Sequence, residues 1–171
     1  MGLLRHRDKA GGARFQMRQK MLSIGDDYWI ETEDGAKAYH VDGKALRIRK
    51  TFVLEDAAGN EVAKLQERKL SVRDKMEIER GGHSVATVHK RLIGIRDRFV
   101  VDVEGGPDMQ AKGNLVDHEY EIERDGDTVA TVSKKWFRIR DTYGVEVAAG
   151  EDEALMLAVT VCIDAMSHPR D

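Results

Sequence analysis

Apolar and polar residues alternate one by one along much of the chain, as in Tyr120-Glu121-Ile122-Glu123 and Met76-Glu77-Ile78-Glu79. A period of two predicts strands with one buried face and one solvated face. Glycine punctuates the alternation at positions 35, 59, 82, 106, 126 and 150. Asp34-Gly35 and Asp125-Gly126 are hairpin dipeptides, because glycine accepts a positive φ without steric cost. After the glycine a return strand begins, in Val85-Ala86-Thr87-Val88 and again in Val129-Ala130-Thr131-Val132.

The return strands end in a second recurring signal: an apolar residue, usually Arg-Asp, one variable residue, then an aromatic or Met. It reads I-R-K-T-F at 48–52, V-R-D-K-M at 72–76, I-R-D-R-F at 95–99 and I-R-D-T-Y at 139–143. Looser copies are I-G-D-D-Y at 24–28 and V-D-H-E-Y at 116–120, so the leading residues recur every 21 to 24 positions. Residues 76–106 and 120–150 align without a gap, and 62–74 is a third relative of the same text. Each period therefore predicts a strand, a glycine turn, a return strand and a tight Arg-Asp corner. Five such units, with one strand before Ile24 and one after Asp141, give twelve strands.

Connections this short require antiparallel neighbours, hence an up-and-down meander. An open sheet of twelve strands exposes two raw edges, and closing the first strand on the last removes both. Twelve tilted strands make a barrel of about 12 Å radius, too wide for its own side chains to fill. The filler is expected at 151–168, "EDEALMLAVTVCIDAMSH", where Thr160 is the sole polar side chain between Ala154 and Ile163. A segment apolar on every face is a buried helix, and about 20 apolar residues are needed to span a bilayer. Acidic residues 151–153 suit a helix N-terminus and Pro169 ends it. Val159, Val161 and Ile163 are β-branched, which leaves a thirteenth strand open on propensity alone. The expected fold is a mainly β, twelve-stranded antiparallel barrel enclosing a central hydrophobic C-terminal helix. The expected organisation is a flexible basic tail over 1–13 and a single domain over 14–171.

Composition changes this picture little. The 171 residues are 41% apolar and 35% charged with net charge −3, which fits a globular domain and gives no bulk charge for nucleic acid. The first twenty residues are the exception: Arg5, Arg7, Lys9, Arg14, Arg18 and Lys20 stand against Asp8 alone. They form either a frayed tail or an arm for an anionic surface, and no apolar run follows to make a secretory signal. One cysteine, Cys162, excludes an intramolecular disulfide and reads as a small core hydrophobe. No histidine spacing suits a metal, and no nucleophile elbow, phosphate loop or Cys-His arrangement is present. No cofactor is expected.

"MRQKMLSIGDDYWI" near the start, "VDGKAL" at 41–46, the V-R-D and I-R-D corners and the terminal apolar segment together resemble the LURP-one-related family. That family lies in the tubby C-terminal-like superfamily with the phospholipid scramblases, and the resemblance covers about residues 14 to 168. It implies the same twelve-stranded barrel around a C-terminal helix. Tubby domains bind phosphoinositide head groups and scramblases are linked to bilayer lipid movement. No tubby lipid-binding motif can be carried over residue by residue, so no site is transferred.

Two sets of cations are candidates for anion or lipid binding. The corners place Arg49, Arg73, Arg96 and Arg140 on one rim opposite the glycine turns, beside Asp74, Asp97 and Asp141. Ion pairing and corner shaping are the plainer roles for these residues. Basic pairs recur on the return strands as Arg68-Lys69, Lys90-Arg91 and Lys134-Lys135. Adjacent strand residues face opposite sides, so a bulge is expected at each pair, and outward members could join into a basic belt. Solvated strand lysines are the duller role. Trp29 and Trp136 suit core packing or a partner contact better than membrane anchoring. The expected function is a non-catalytic cytoplasmic binding module, peripheral at a membrane if its ligand is an anionic phospholipid, otherwise docked on a protein partner. Scramblase-like or hidden enzymatic activity, and a structural or regulatory protein-interaction role, are the alternatives.

Overall fold

A computed structural model describes residues 12–18, 27–43, 50–68, 75–93, 96–137 and 142–167. The twelve strands are β1 (Ala13–Arg18), β2 (Asp27–Thr32), β3 (Lys37–Gly43), β4 (Thr51–Asp56), β5 (Glu61–Glu67) and β6 (Lys75–Arg80), then β7 (His83–Ile93), β8 (Arg96–Val103), β9 (Met109–Asn114), β10 (Glu119–Arg124), β11 (Asp127–Ser133) and β12 (Thr142–Val147). Each pairs antiparallel with its sequence neighbours, and β1 closes on β12 from Ala13↔Val147 to Arg18↔Thr142, which makes the expected closed meander.

The glycine turns form as the sequence predicts. Gly35 and Gly59 have φ of 84° and 87°, and Asp125-Gly126 takes 51° and 82°, the paired positive values of a two-residue hairpin. Four hairpins carry a β-bulge at the same repeat position, after Ile30, Leu54, Ile78 and Ile122, each followed by Glu. The extra residue sharpens the local twist just before the turn.

Inward positions of the wall, among them Ile30, Leu54, Leu65, Ile78, Val88, Val101, Ile122 and Val145, are fully buried. They pack on α1 (Glu153–Ser167), a helix with buried residues from Ala154 through Asp164 on every face. The segment is thus helical rather than a thirteenth strand. It starts two residues later than the sequence suggests because Asp152 caps it: its Oδ1 accepts the Leu155 N–H at 3.1 Å. The cap and the residue before it are clamped to the wall. Arg80 of β6 reaches Asp152 at 2.5 Å, and Arg124 of β10 holds both Glu151 oxygens at 2.9 and 2.5 Å. Arg80 and Arg124 are the same position of the repeated E-I-E-R text, so one repeated residue grips the start of the helix from two sides.

Candidate functional site

The helix divides the barrel into a turn end, where it begins, and a corner end, where it stops at Ser167. At the corner end the wall is incomplete. Strand β7 pairs with β8 without a break from Ala86↔Val103 to Ile93↔Arg96. Strand β9 pairs with β10 from Gln110↔Glu123 to Asn114↔Glu119. Between β8 and β9, however, the ladder covers only Val101↔Met109 to Phe99↔Ala111. Past that point β8 runs back to Arg96 and β9 runs on to Asn114 with no pairing between them. Each strand therefore turns a row of backbone donors and acceptors towards an open seam.

A hollow of about 600 Å³ fills the seam, lined chiefly by Lys90, Arg98 and Lys112 with Phe99, Leu115 and Ser167. Alternation places Lys90 on the inner side, two residues beyond fully buried Val88 and opposite Phe99. Lys112 reaches Glu123 at 2.9 Å. Arg91 and Arg98 are register partners on the outer face, so four cations crowd three neighbouring strands. Gly113 lets β9 press against β10 here, because a Cβ at that position would lie 2.7 Å from the Glu119 carbonyl oxygen. Val116, in the following turn, is the one exposed large hydrophobic residue among those described.

Beneath the hollow lies a sealed polar group. His118, held at φ 55°, places Nε2 2.6 Å from Asp164 Oδ1 on the helix. The Tyr143 hydroxyl donates to Asp164 Oδ2, and its ring stacks on His118 with centroids 4.1 Å apart. Burial first, then the Asp164 carboxylate, pushes the phenols of Tyr28, Tyr120 and Tyr143 well above their ordinary range. Asp164 and His118 are both within 1% of complete burial. The group fastens the turn at 115–118 to the helix one turn before Ser167, and it is out of reach of a soluble substrate. Burial likewise pushes the Cys162 thiol up, in keeping with a core role.

Of the cations expected from the sequence, the described residues include Arg68, Lys90, Arg91, Lys134 and Lys135, which lie on or just after three different strands. Arg68 follows the end of β5 and pairs with buried Glu77. Lys134 and Lys135 follow the end of β11, where Glu119 accepts the Lys134 N–H at 2.9 Å and Ser133 Oγ accepts the Lys135 N–H at 3.1 Å. The bulge expected at Lys90-Arg91 is absent from the β7–β8 ladder, whose register is unbroken there. The physical reason is the barrel mouth: past the end of the helix, an inward lysine can extend its ammonium towards solvent. Lys69, Arg49, Arg73 and Arg140, with Asp74 and Asp141, lie outside the described residues, as do the side chains of Arg96 and Asp97 and the tail at 1–11.

Arg98 and Lys112 were not singled out by the sequence. Arg98 occupies the variable place of its corner motif, and Lys112 is one outward residue of an alternating strand. Trp29 and Trp136 are half-buried. Lys37 sits 4.8 Å over Trp29 and Arg14 4.6 Å over Trp136. Trp136 also covers the outside of β12 at Gly144, where a Cβ would come within 2.6 Å of its ring. A second hollow, about 670 Å³, opens at the turn end beside Arg14, Glu33, Asp34, Tyr39, Asp56 and Glu153. Its charge has the opposite sign. No group of three or more potential metal ligands occurs among the described residues.

A family model described as LURP-one-related matches residues 13–164. The X-ray structure of a protein from Arabidopsis thaliana is similar in fold at 17% identity, with a TM-score of 0.70 and 92% of each chain covered. No curated protein matches the chain.

Proposed function

The chain belongs to the LURP-one-related family, and on that premise we propose that it is a non-catalytic binding module whose β8/β9 hollow takes an anionic ligand. The observation that carries this is the convergence of Lys90, Arg98 and Lys112 around a hollow with an apolar wall, with Arg91 the register partner of Arg98 on the neighbouring strand. Its size is within the range of sites that hold a ligand. Lys69, Arg96 and Arg140 extend the same proposal on the sequence alone. Arg68, Lys134 and Lys135 contribute less, since Glu77 neutralises the first and the other two lie beyond β11, further round the barrel.

An anionic phospholipid head group suits this charge, and the resemblance to tubby domains supports it. Each cation near a charged bilayer contributes about 1 kcal/mol. A protein bearing carboxylates presents the same sign. The setting proposed is cytoplasmic, with peripheral contact to a membrane; no helix among the described residues is long and apolar enough to cross one. Scramblase-like or catalytic activity draws no support from the buried His118–Asp164–Tyr143 group. Sedimentation with neutral and phosphatidylserine vesicles at low salt tests the lipid version. Binding should appear only with the anionic vesicles and weaken in Arg98→Glu. Equal sedimentation with both vesicle types would end it.

A further inference from the structure

We infer that the anionic ligand of the seam is an extended acidic polypeptide segment, added as a strand between the facing edges of β8 and β9. This rests on the proposal that the hollow binds anions, and deepens it by naming the partner. Charge alone does not separate a head group from a peptide. The backbone does. A head group uses the cations and leaves the two strand edges unpaired. An extended segment uses both.

Three observations point to the peptide. First, the β8–β9 ladder stops at Phe99↔Ala111, although β8 stays paired to β7 back to Arg96 and β9 stays paired to β10 out to Asn114. Each of the two strands thus keeps its other neighbour, and the unpaired stretch between them forms a wedge. Its two edges present backbone donors and acceptors of the kind that strand addition employs. Second, alternate side chains of an added strand point to opposite faces. The seam is divided nearly in that way: Phe99 and Leu115, with the stem of Lys90, lie on the inner side, whereas Arg98 and Lys112 stand on the outer. A segment alternating apolar and acidic residues would match both. Third, the turn that forms the far wall is braced. The Asn114 side-chain amide donates to the Asp117 carboxylate at 2.7 Å, its Oδ1 accepts the Asp117 N–H at 3.1 Å, and His118 ties the turn to the helix. The wedge therefore does not have to be ordered when a partner enters, which lowers the cost of binding.

The test uses the whole chain and a capped peptide of alternating glutamate and valine. Its companions are the same peptide N-methylated at alternate amides, inositol hexakisphosphate, and phosphatidylserine vesicles. N-methylation preserves charge and side chains but removes the donors an added strand needs. Calorimetry should show binding of the unmodified peptide, at least about tenfold loss on N-methylation, and a similar loss in Arg98→Glu. Hydrogen exchange should slow at those alternate amides of residues 96–98 and 112–114 that face the seam when the peptide is present. Equal affinity for the N-methylated peptide would overturn strand addition while leaving the anion site in place. So would binding of inositol hexakisphosphate or vesicles without binding of peptide. If none of the four binds, the anion site itself falls.

Discussion

The two ends of the barrel are built from the same repeated text and finished in opposite ways. At the turn end every hairpin is closed by its own residues. Glycines take the positive φ, bulges tighten the twist, and Asp56 accepts the N–H groups of Ala58 and Asn60 at 2.9 Å each. The start of the helix is then gripped by Arg80 and Arg124. At the corner end the helix stops inside a wall that is open between β8 and β9, and the cations there have a hollow between them. One repeat is thus finished in two ways. Residues that close a turn are spent on structure, and those at the incomplete seam line the hollow that we propose as the anion site.

Removing what joins the two regions should cost the most stability. Asp164→Ala should cost about 3 kcal/mol or more in chemical denaturation, because His118 and Tyr143 lose a fully buried acceptor. Asp164→Asn keeps an acceptor of the same shape and should cost less. Equal losses would mean that the carboxylate charge, not its hydrogen bonding, holds the group. Next in size, Arg124→Ala at the turn end should cost about 1 kcal/mol by releasing Glu151, and Arg98→Ala at the seam about 0.5 kcal/mol or less. A seam substitution as costly as the clamp would show that Arg98 is structural.

Strands, turns, closure and the enclosed helix were legible because each has a local cause. Alternation fixes the buried face, Asp125-Gly126 fixes a hairpin, and an apolar run with no polar face has to be enclosed. The Arg80 and Arg124 clamps were hidden in plain text: E-I-E-R recurs, but which acid each arginine meets depends on the helix arriving between them. His118 was visible as the oddity of its corner copy, V-D-H-E-Y, and Asp164 as the acid that ends the apolar run. They lie 46 residues apart in the chain, and no spacing announces their meeting. The seam was illegible for a further reason. Whether β8 and β9 stay paired past Phe99 depends on how the rest of the ring closes, not on either strand, so Arg98 and Lys112 looked like ordinary outward residues.

The smallest expected effect concerns pH at the turn end. Hydrogen bonds from the backbone and side chain of Asn60 hold the Asp56 carboxyl below its ordinary value. A depressed carboxylate contributes its stability above the unfolded-state pKa and loses it as pH falls through the folded one. The 56–60 turn should therefore loosen only in acid, below about pH 4. An NMR titration following the Asp56 carboxyl and the Asn60 amide together would check this, and a midpoint at or above the ordinary value would contradict it.

The most direct test of an anion site at the open seam is an amide chemical-shift map recorded while inositol hexakisphosphate is added to the whole chain. The shifts should move at Arg91, Arg98 and residues 112–116, while Tyr39, Asp56 and Glu153 at the turn end stay still. Movement centred on the turn end, or spread evenly round the wall, would contradict it.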